Sequence, residues 1–546
     1  MHKLPYLRPL VIAVSTALFL LMFGTLPWVV NSVAPYDDGL YIHTAASIVE
    51  GQWLGPYHSI TLAKPPGFSL YIAASYFTGL PFGLSIAALH LLAALALGLA
   101  IEKVTASKWL GVLAAIFVLW NPQSFAVERV LRETVYSAQT LLIVAAVILA
   151  GTSKKLLPEC LWWVVAGAVV GWFWVTREEG IWLLPGLALL LLSSAYSPKR
   201  FLRGAVMVTA ASLVMPLAIS GLNDSYYGRP IVAELNAPEQ TRALSLMQSV
   251  LAGESIDSVP VSRAAMSAIA SVSPAFRALA PSYADPNFWN NNTCLTPGDV
   301  TCGEIKGGWF HWSLREAIRR VGGYESPRTA EAYYLKLGDE IEAGCNEGRL
   351  QCSPRLIERL PNVSLPQLVQ LIPYTYRALR VALFVDPIDI GAWPSVGPQD
   401  QLGAALSILN RPTAYKSEEY PLPFLESVDS ARASINRSAR RLAASAYGYA
   451  IQIGSVVALV LLMTGLKKRG LARPSQAALI AVSIFVMALS RLGIVGLVDI
   501  TSFGAANLVY LGPFCQLLAI SIMLALYLGF VRTMGTSRQK DATPLV

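Results

Sequence analysis

Residues 29–74 read "VVNSVAPYDDGLYIHTAASIVEGQWLGPYHSITLAKPPGFSLYIAA". An apolar run ends at Val30, and two adjacent carboxylates follow, Asp37 and Asp38. Two histidines come next, His43 and His58. The turn Lys64-Pro65-Pro66-Gly67 then opens a second apolar run. A carboxylate stranded in hydrocarbon is costly and is not left there without a partner. Neighbouring acids at the end of a greasy segment therefore mark where the chain leaves a membrane and meets water.

The rest of the chain supports this. Of its 546 residues, 54% are hydrophobic and 14% charged, against about 25% charged in a soluble globular protein. The mean hydropathy is +0.50. The net charge of +8 does not point to nucleic acid, because Lys and Arg fall in short clusters between apolar runs. That pattern encodes membrane orientation. No basic patch is interleaved with aromatics, so nucleic acid is set aside as a partner.

Runs long enough to cross a bilayer fall near 9–30, 83–101, 108–123, 134–151, 160–176, 180–196, 205–222, 444–466, 476–498 and 507–531, about ten helices. The first is too long for the core of a cleavable signal and reads as a retained span. With the N-terminus in the cytoplasm, "MHKLPYLR", "EKVTASK", "TSKKLLPE", "SPKRFLRG", "KKRGLARPSQ" and "RTMGTSRQK" become the inside segments. Each carries at least two Lys or Arg. The opposite connections carry Asp37, Asp38, Glu128, Glu133, Glu178, Glu179 and Asp499. Charge asymmetry and helix count agree.

Three regions follow: a membrane module over 1–222 of about seven spans with its first outer loop at 31–66, an outer domain over 223–443, and a second membrane module over 444–546 of about three spans. The segment at 365–385 contains Pro373, Arg377 and Arg380 and would break the parity if it crossed. It reads as an amphipathic helix on the membrane surface. Cys160 and Cys515 sit in apolar segments as small core residues. Cys294, Cys302, Cys345 and Cys352 share the outer domain, with seven and six residues between near neighbours. Zinc sites use tighter spacing. Two disulfides in an oxidising compartment fit better, with the pairing left open.

Asp37 and Asp38 have a structural reading, as caps of the helix that follows. That accounts for one acid better than for two. Pro-Pro fixes the backbone and holds Lys64 at headgroup depth, where an ammonium suits phosphate; its plain alternative is a snorkelling lysine. Arg129, Arg132 and Glu133 at i, i+3 and i+4 are expected on one helix face. Arg177, Glu178 and Glu179 lie in the next loop on that side. Arg491 is stranded within a span and needs a partner, either a structural acid or a bound phosphate.

An acidic pair after the first helix, a short helix, and Lys-Pro-Pro before the next apolar block resemble the GT-C glycosyltransferases. The likeness is nearest to the lipid A aminoarabinose transferases and protein O-mannosyltransferases. It covers about the first 200 residues. It implies a GT-C-like polytopic α-helical protein with a large, mainly α periplasmic domain, in the bacterial inner membrane, with both termini cytoplasmic. It implies transfer of a sugar from a polyprenyl-phosphate donor to an acceptor hydroxyl on a glycan, lipid or protein, with inversion. Asp37 matches the family's first-loop acid, Tyr41 an aromatic four residues on, and Lys64 the lysine that meets the carrier phosphate. Asp38 and Glu133 are the further catalytic candidates, Arg129, Arg132 and Arg491 the further phosphate ligands, and His43 and His58 substrate contacts beside Tyr41. Ala63 and Leu40 stand where family members often have glutamate and arginine. No cofactor is required; a divalent cation held by Asp37, Asp38 and His58 is the alternative. A whole-glycan ligase, polymerase or oligosaccharyltransferase would use the same carrier chemistry. A lipid or sugar flippase is the rival from another class, but it would need ionisable groups near the midplane, and this chain places its charges at the helix mouths.

Overall fold

The computed structural model describes residues 6–534, except 27, 127, 196, 255, 286, 290–301, 355–364, 385–392, 411–415, 417–426, 428 and 470–474. Among the described residues the structure is helical, with no strand and three isolated β-bridges.

The first module opens with α1 (Leu7–Gly24), the short helices α2 (Asp38–Val49) and α3 (Gly67–Thr78), and the hairpin of α4 (Phe82–Thr105) and α5 (Lys108–Leu119). The turn α6 (Gln123–Ala126) leads to α7 (Glu133–Thr152), α8 (Leu156–Thr176), α9 (Leu183–Ser194) and α10 (Pro198–Tyr227). The middle region holds α11 (Pro238–Ser249), α12 (Arg263–Val272), α13 (Pro274–Ala284), α14 (Gly307–Arg320) and α15 (Pro327–Asn346). It continues with α16 (Leu365–Val369), α17 (Leu371–Phe384) and α18 (Gln399–Ile408). The last module is α19 (Ala431–Arg469), α20 (Gln476–Thr501) and α21 (Leu508–Met534).

Nine helices among the described residues are long and apolar enough to cross a membrane. The chain is a multi-pass helical membrane protein. The expected tenth span is shorter. Residues Gly180–Ser194 begin as a 3-10 turn and give only 15 apolar helical residues, about 22 Å of rise against about 30 Å of hydrocarbon. Glu178 and Glu179, just before it, are drawn into ion pairs with Arg132 and Arg177.

The central span is α7, with 94% of its apolar window buried, whereas α1 and α10 have 17% and 11%. Sequence explains the contrast. The helix α7 carries Ser137, Gln139 and Thr140, all buried, and packs against α4, α8, α9 and α21. The helix α10 presents Leu213, Val214 and Leu217 outward. It meets α8 at Gly167 and Gly171, where a Cβ would lie 2.6 Å from the Ala211 side chain or from the Ser212 carbonyl. This small-x-x-x-small seam draws two backbones together in lipid.

The middle region divides in two. Residues 243–350 build their own core from α11–α15. Tyr374, Ala378, Leu402, Ala405 and Leu406 instead join the membrane core, so α17 and α18 lie against the bundle. The helix α17 buries one face on α19–α21, leaves Ile372, Tyr376 and Phe384 exposed, and ties Arg377 to Asp499 at 2.5 Å.

Candidate functional site

The segment after α1 does not continue as helix to Val30. It turns extended and becomes the middle of a small ladder. Val29 N–H donates to Glu128 at 2.9 Å and Val130 N–H to Val29. On the other side, Val396 N–H donates to Val30 and Ser32 N–H to Val396, both at 2.9 Å. Three distant stretches thus meet in front of α2. This places Arg129 beside Asp38. The helix α7 begins only at Glu133, so Arg129, Arg132 and Glu133 do not share a helix face as expected. Each reaches a different partner.

The two aspartates have different jobs. The side chain of Asp37 occupies the N-cap position of α2 but accepts no capping bond, so capping does not explain the pair. Asp38 is fully buried. Arg129 Nη2 lies 2.8 Å from one oxygen, and the other accepts from Arg129 Nε at 3.1 Å and from the Asn31 N–H at 3.0 Å. Asp37 is 47% exposed and accepts from Lys64 Nζ at 2.9 Å. The Lys64 side chain is 7% exposed. It also donates to the Tyr36 carbonyl at 2.5 Å and lies 5.3 Å from the ring centres of Tyr41 and Trp312.

The Lys-Pro-Pro-Gly turn sets that position. The Gly67 Cα faces the last turn of α8. A Cβ there would lie 2.6 Å from the Val175 carbonyl carbon and 2.8 Å from the Thr176 nitrogen. Trp172 Nε1 donates to the Gly67 carbonyl at 3.2 Å. The turn is thereby seated on the helix that delivers Arg177, and Lys64 is delivered toward α2.

Burial pushes both carboxyls up. At Asp38 burial outweighs Arg129 and the Asn31 N–H, and the group rises to about 6. At Asp37 burial is outweighed by Lys64, with Arg129 and Arg132 adding to it, and the group falls below its ordinary value. Lys64 itself is lowered, because burial and Arg132 outweigh Asp37 and Glu178.

A second tier of charge lies behind. Arg132 grips Glu178 with both terminal nitrogens, at 2.5 and 3.0 Å. Arg177 bonds Glu133 and, at 2.8 Å, Glu179. Arg491 lies 3.7 Å from Glu179, donates to the Tyr510 carbonyl at 2.8 Å, and sits over the rings of Tyr136 and Trp182. Its Nε and Nη1 have no hydrogen-bond partner among the described residues. Five carboxylates thus face five cations. Removing one member of such a buried pair strands the other and costs about 3–5 kcal/mol.

The structure gathers Asp37, Asp38, Tyr41, Lys64, Arg129, Arg132, Glu133 and Arg491 into one cluster. His43 and His58 lie elsewhere. They line a separate, mainly apolar cavity of about 430 Å³ between α2, the following loop and α18. The candidate metal set of Asp37, Asp38 and His58 is not assembled. Among the described residues no three His, Cys, Asp or Glu are placed to hold a metal ion, and each aspartate is already engaged by a cation. Cys345 and Cys352 form a disulfide. Cys302 is disulfide-bonded too, and Cys294 lies outside the described residues. Tyr36 and Trp312 were not anticipated. The adjacent acids flagged the neighbourhood of Tyr36; for Trp312, far along the chain, the sequence carries no signal beyond a tryptophan in an amphipathic helix.

No protein-family model matches the chain, and no curated protein matches its sequence. Solved structures similar to it include ArnT from Cupriavidus metallidurans in the apo state, at 16% identity over 96% of this chain and 77% of that one, with a TM-score of 0.31. The same protein bound to undecaprenyl phosphate matches at 15% identity over the same shares, with a TM-score of 0.30. The oligosaccharyltransferase of Archaeoglobus fulgidus in the apo form matches at 15% identity over 93% of this chain and 56% of that one, with a TM-score of 0.32.

Proposed function

We propose that this protein is a GT-C-type membrane glycosyltransferase. It moves a sugar from a polyprenyl-phosphate carrier to an acceptor hydroxyl on the periplasmic side of the membrane. The observation that carries this is the Asp37–Lys64 pair: a half-exposed carboxylate held 2.9 Å from an ammonium fixed at the mouth of the bundle.

The chemistry needs both signs there. As the sugar leaves its carrier, the bond from the anomeric carbon to the phosphate oxygen breaks, and the electron pair stays on the phosphate. A preorganised cation stabilises that charge. Lys64 is the nearest such cation, and Arg129, 37% exposed, stands next to it. The acceptor oxygen attacks the anomeric carbon from the opposite side, which inverts it, and its proton passes to Asp37.

Lys64 links the two roles. While it holds Asp37, it keeps that carboxylate ionised and weakly basic. Once it turns to the donor phosphate, burial is left as the main influence on Asp37, and its basicity rises when the proton must be taken. Asp38 and Glu133, each held by an arginine, position Arg129 and Arg177.

The test uses purified protein and a radiolabelled pool of polyprenyl-phosphate sugars with envelope extract as acceptor. Wild type should move label off the lipid. Asp37→Asn should lose about 10²–10⁴-fold in rate, and Lys64→Ala should lose activity with the fold retained. Wild-type rates in Asp37→Asn would remove the base; no turnover by wild type would remove the function.

A further inference from the structure

The transfer chemistry makes no use of Arg315, a cation of α14 that is 1% exposed. Its guanidinium does not serve the middle domain alone. Nε donates to the Ser59 carbonyl at 2.9 Å, Nη1 to Gln240 at 3.1 Å and Nη2 to Glu234 at 2.5 Å. Glu234 also accepts from the Tyr57 hydroxyl at 2.8 Å. The backbone beside it completes the contact. Glu234 N–H donates to the Leu62 carbonyl at 2.7 Å, and Leu235 N–H to the Ala63 carbonyl at 3.4 Å. The stretch 57–63, which ends one residue before Lys64, is thus bracketed by Arg315 and Glu234.

The same helix also roofs Lys64. Trp312, one turn before Arg315, has its ring centre 5.3 Å from Lys64 Nζ and stacks on Tyr36 at 4.4 Å. The Tyr36 carbonyl in turn accepts from Lys64. The helix is braced at its start, where Gly307 and Gly308 let the chain press on the α20–α21 turn. A Cβ on them would lie 2.6 Å from Ser502 Oγ and 2.8 Å from the Phe503 ring. The Tyr324 ring lies 4.8 Å from the Arg315 guanidinium, and its hydroxyl meets that of Tyr334 at 3.1 Å. One turn of α14 therefore touches both the roof of Lys64 and the loop that delivers it. Beyond Lys64, the two prolines and the seat of Gly67 on α8 fix the chain from the other side.

We propose that Arg315 and Glu234 are positioning residues for Lys64, through which the middle domain sets the lysine's place for the donor phosphate. This rests on the glycosyl-transfer function proposed above and adds two residues to its machinery. A lysine ammonium rides on a flexible four-carbon stem, so its position depends on the backbone that carries it. A cation stabilises a leaving phosphate best when it is already in place. A buried ion pair inside one domain can often give way to apolar side chains without loss. Here the bonds leave the domain and end on Ser59, Leu62 and Ala63 of the loop. The acceptors come from three separate stretches, which a planar guanidinium fork can reach together and a compact ammonium cannot.

The test reads Lys64 directly in the full-length protein in nanodiscs. A water-soluble acetylating reagent labels amines, and peptide mass spectrometry follows Lys64 against the exposed Lys336 as internal standard. Donor turnover is measured on the same samples. In wild type Lys64, 7% exposed, should react far more slowly than Lys336. Arg315→Met should speed labelling of Lys64 about tenfold, the scale of one lost hydrogen bond to a charged group. It should also cut turnover about 10²-fold, as a misplaced reacting group does. Arg315→Lys should fall between the two on both readouts, and it carries the test if Arg315→Met does not fold. Ile341→Ala removes a core side chain of the same domain, two turns beyond Tyr334 on α15. It should lower the melting temperature and leave Lys64 protected. Lys64 as protected in the folded Arg315 variants as in wild type would overturn the proposal. So would equal exposure of Lys64 in Ile341→Ala, because general loosening would then explain both. Faster labelling with wild-type turnover would sink the positioning role alone. Faster labelling in the Arg315 variants, with no donor turnover by wild type, would remove the transferase function and leave Arg315 setting Lys64.

Discussion

Adding one methyl group at Gly67 tests how Lys64 is placed. The Cβ of Gly67→Ala would lie 2.6 Å from the Val175 carbonyl carbon and 2.8 Å from the Thr176 nitrogen, whereas non-bonded carbon atoms rest about 3.5–4.0 Å apart. The obstacle is helix backbone, which has no rotamer by which to yield. The α3 N-terminus must therefore retreat from α8 by about 1 Å. Overpacking of this kind costs about 1–3 kcal/mol. Lys64 is three residues away across two prolines, so the stiff turn carries the shift to Nζ instead of absorbing it. A 1 Å misplacement of a reacting group costs about 10²-fold in rate. The assay pairs thermal melting in detergent with donor turnover. A modest drop in melting temperature should accompany a loss of about two orders of magnitude in turnover. Gly67→Ala that turns over donor as wild type does, whatever its melting point, would show that the turn does not set Lys64.

Three further outcomes follow from the geometry. Asp38 has a carboxyl raised to about 6 by burial, above its ordinary value of about 4. Between those pH values the folded protein keeps a proton that the unfolded chain releases, so this contribution to stability is full below pH 4 and is lost as pH rises to 6. Asp38→Asn should flatten that part of the melting-temperature profile, and an unchanged slope would refute the assignment. Opening the Cys345–Cys352 link, which closes a short loop, by a double Cys→Ser change should cost about 2–3 kcal/mol, read as earlier proteolysis of the 243–350 domain; equal protease resistance would contradict it. Arg491 has two guanidinium nitrogens without hydrogen-bond partners among the described residues. If it meets the donor phosphate, Arg491→Lys should raise the donor KM at least tenfold and leave the acceptor KM in place; a fall in melting temperature alone would make it structural.

The comparison of expected and observed structure turns on the range of each signal. Spans are local: about twenty apolar residues in a row satisfy their own backbone hydrogen bonds, so most helix positions were legible in composition alone. Gly180–Ser194 came out short because its apolar length was local but its anchoring was not. Glu178 is held by Arg132 from another loop, and Glu179 is shared between Arg177 beside it and Arg491 of α20. The expected helix face of Arg129, Arg132 and Glu133 failed for a similar reason. Residues 128–130 are drawn into extended pairing with Val29, and that long-range pairing overrode the local spacing.

By itself the sequence determined the rough extent of nine of the ten expected apolar helices and the two motifs that matter most, the Asp37-Asp38 pair and Lys-Pro-Pro-Gly. Each is written in consecutive residues, and the membrane reads consecutive residues. Only the tertiary structure decided which aspartate is buried and which is half-exposed. Two adjacent carboxyls disfavour each other's ionisation, and nothing in the local sequence says which of them is raised. The raised one is Asp38, sealed by Arg129, while Lys64 lowers the exposed Asp37. It also decided that Trp312 roofs Lys64 and that the histidines face another cavity. Those facts depend on contacts between loops tens to hundreds of residues apart, where Coulomb attraction and close packing act through space and leave no local pattern in the chain.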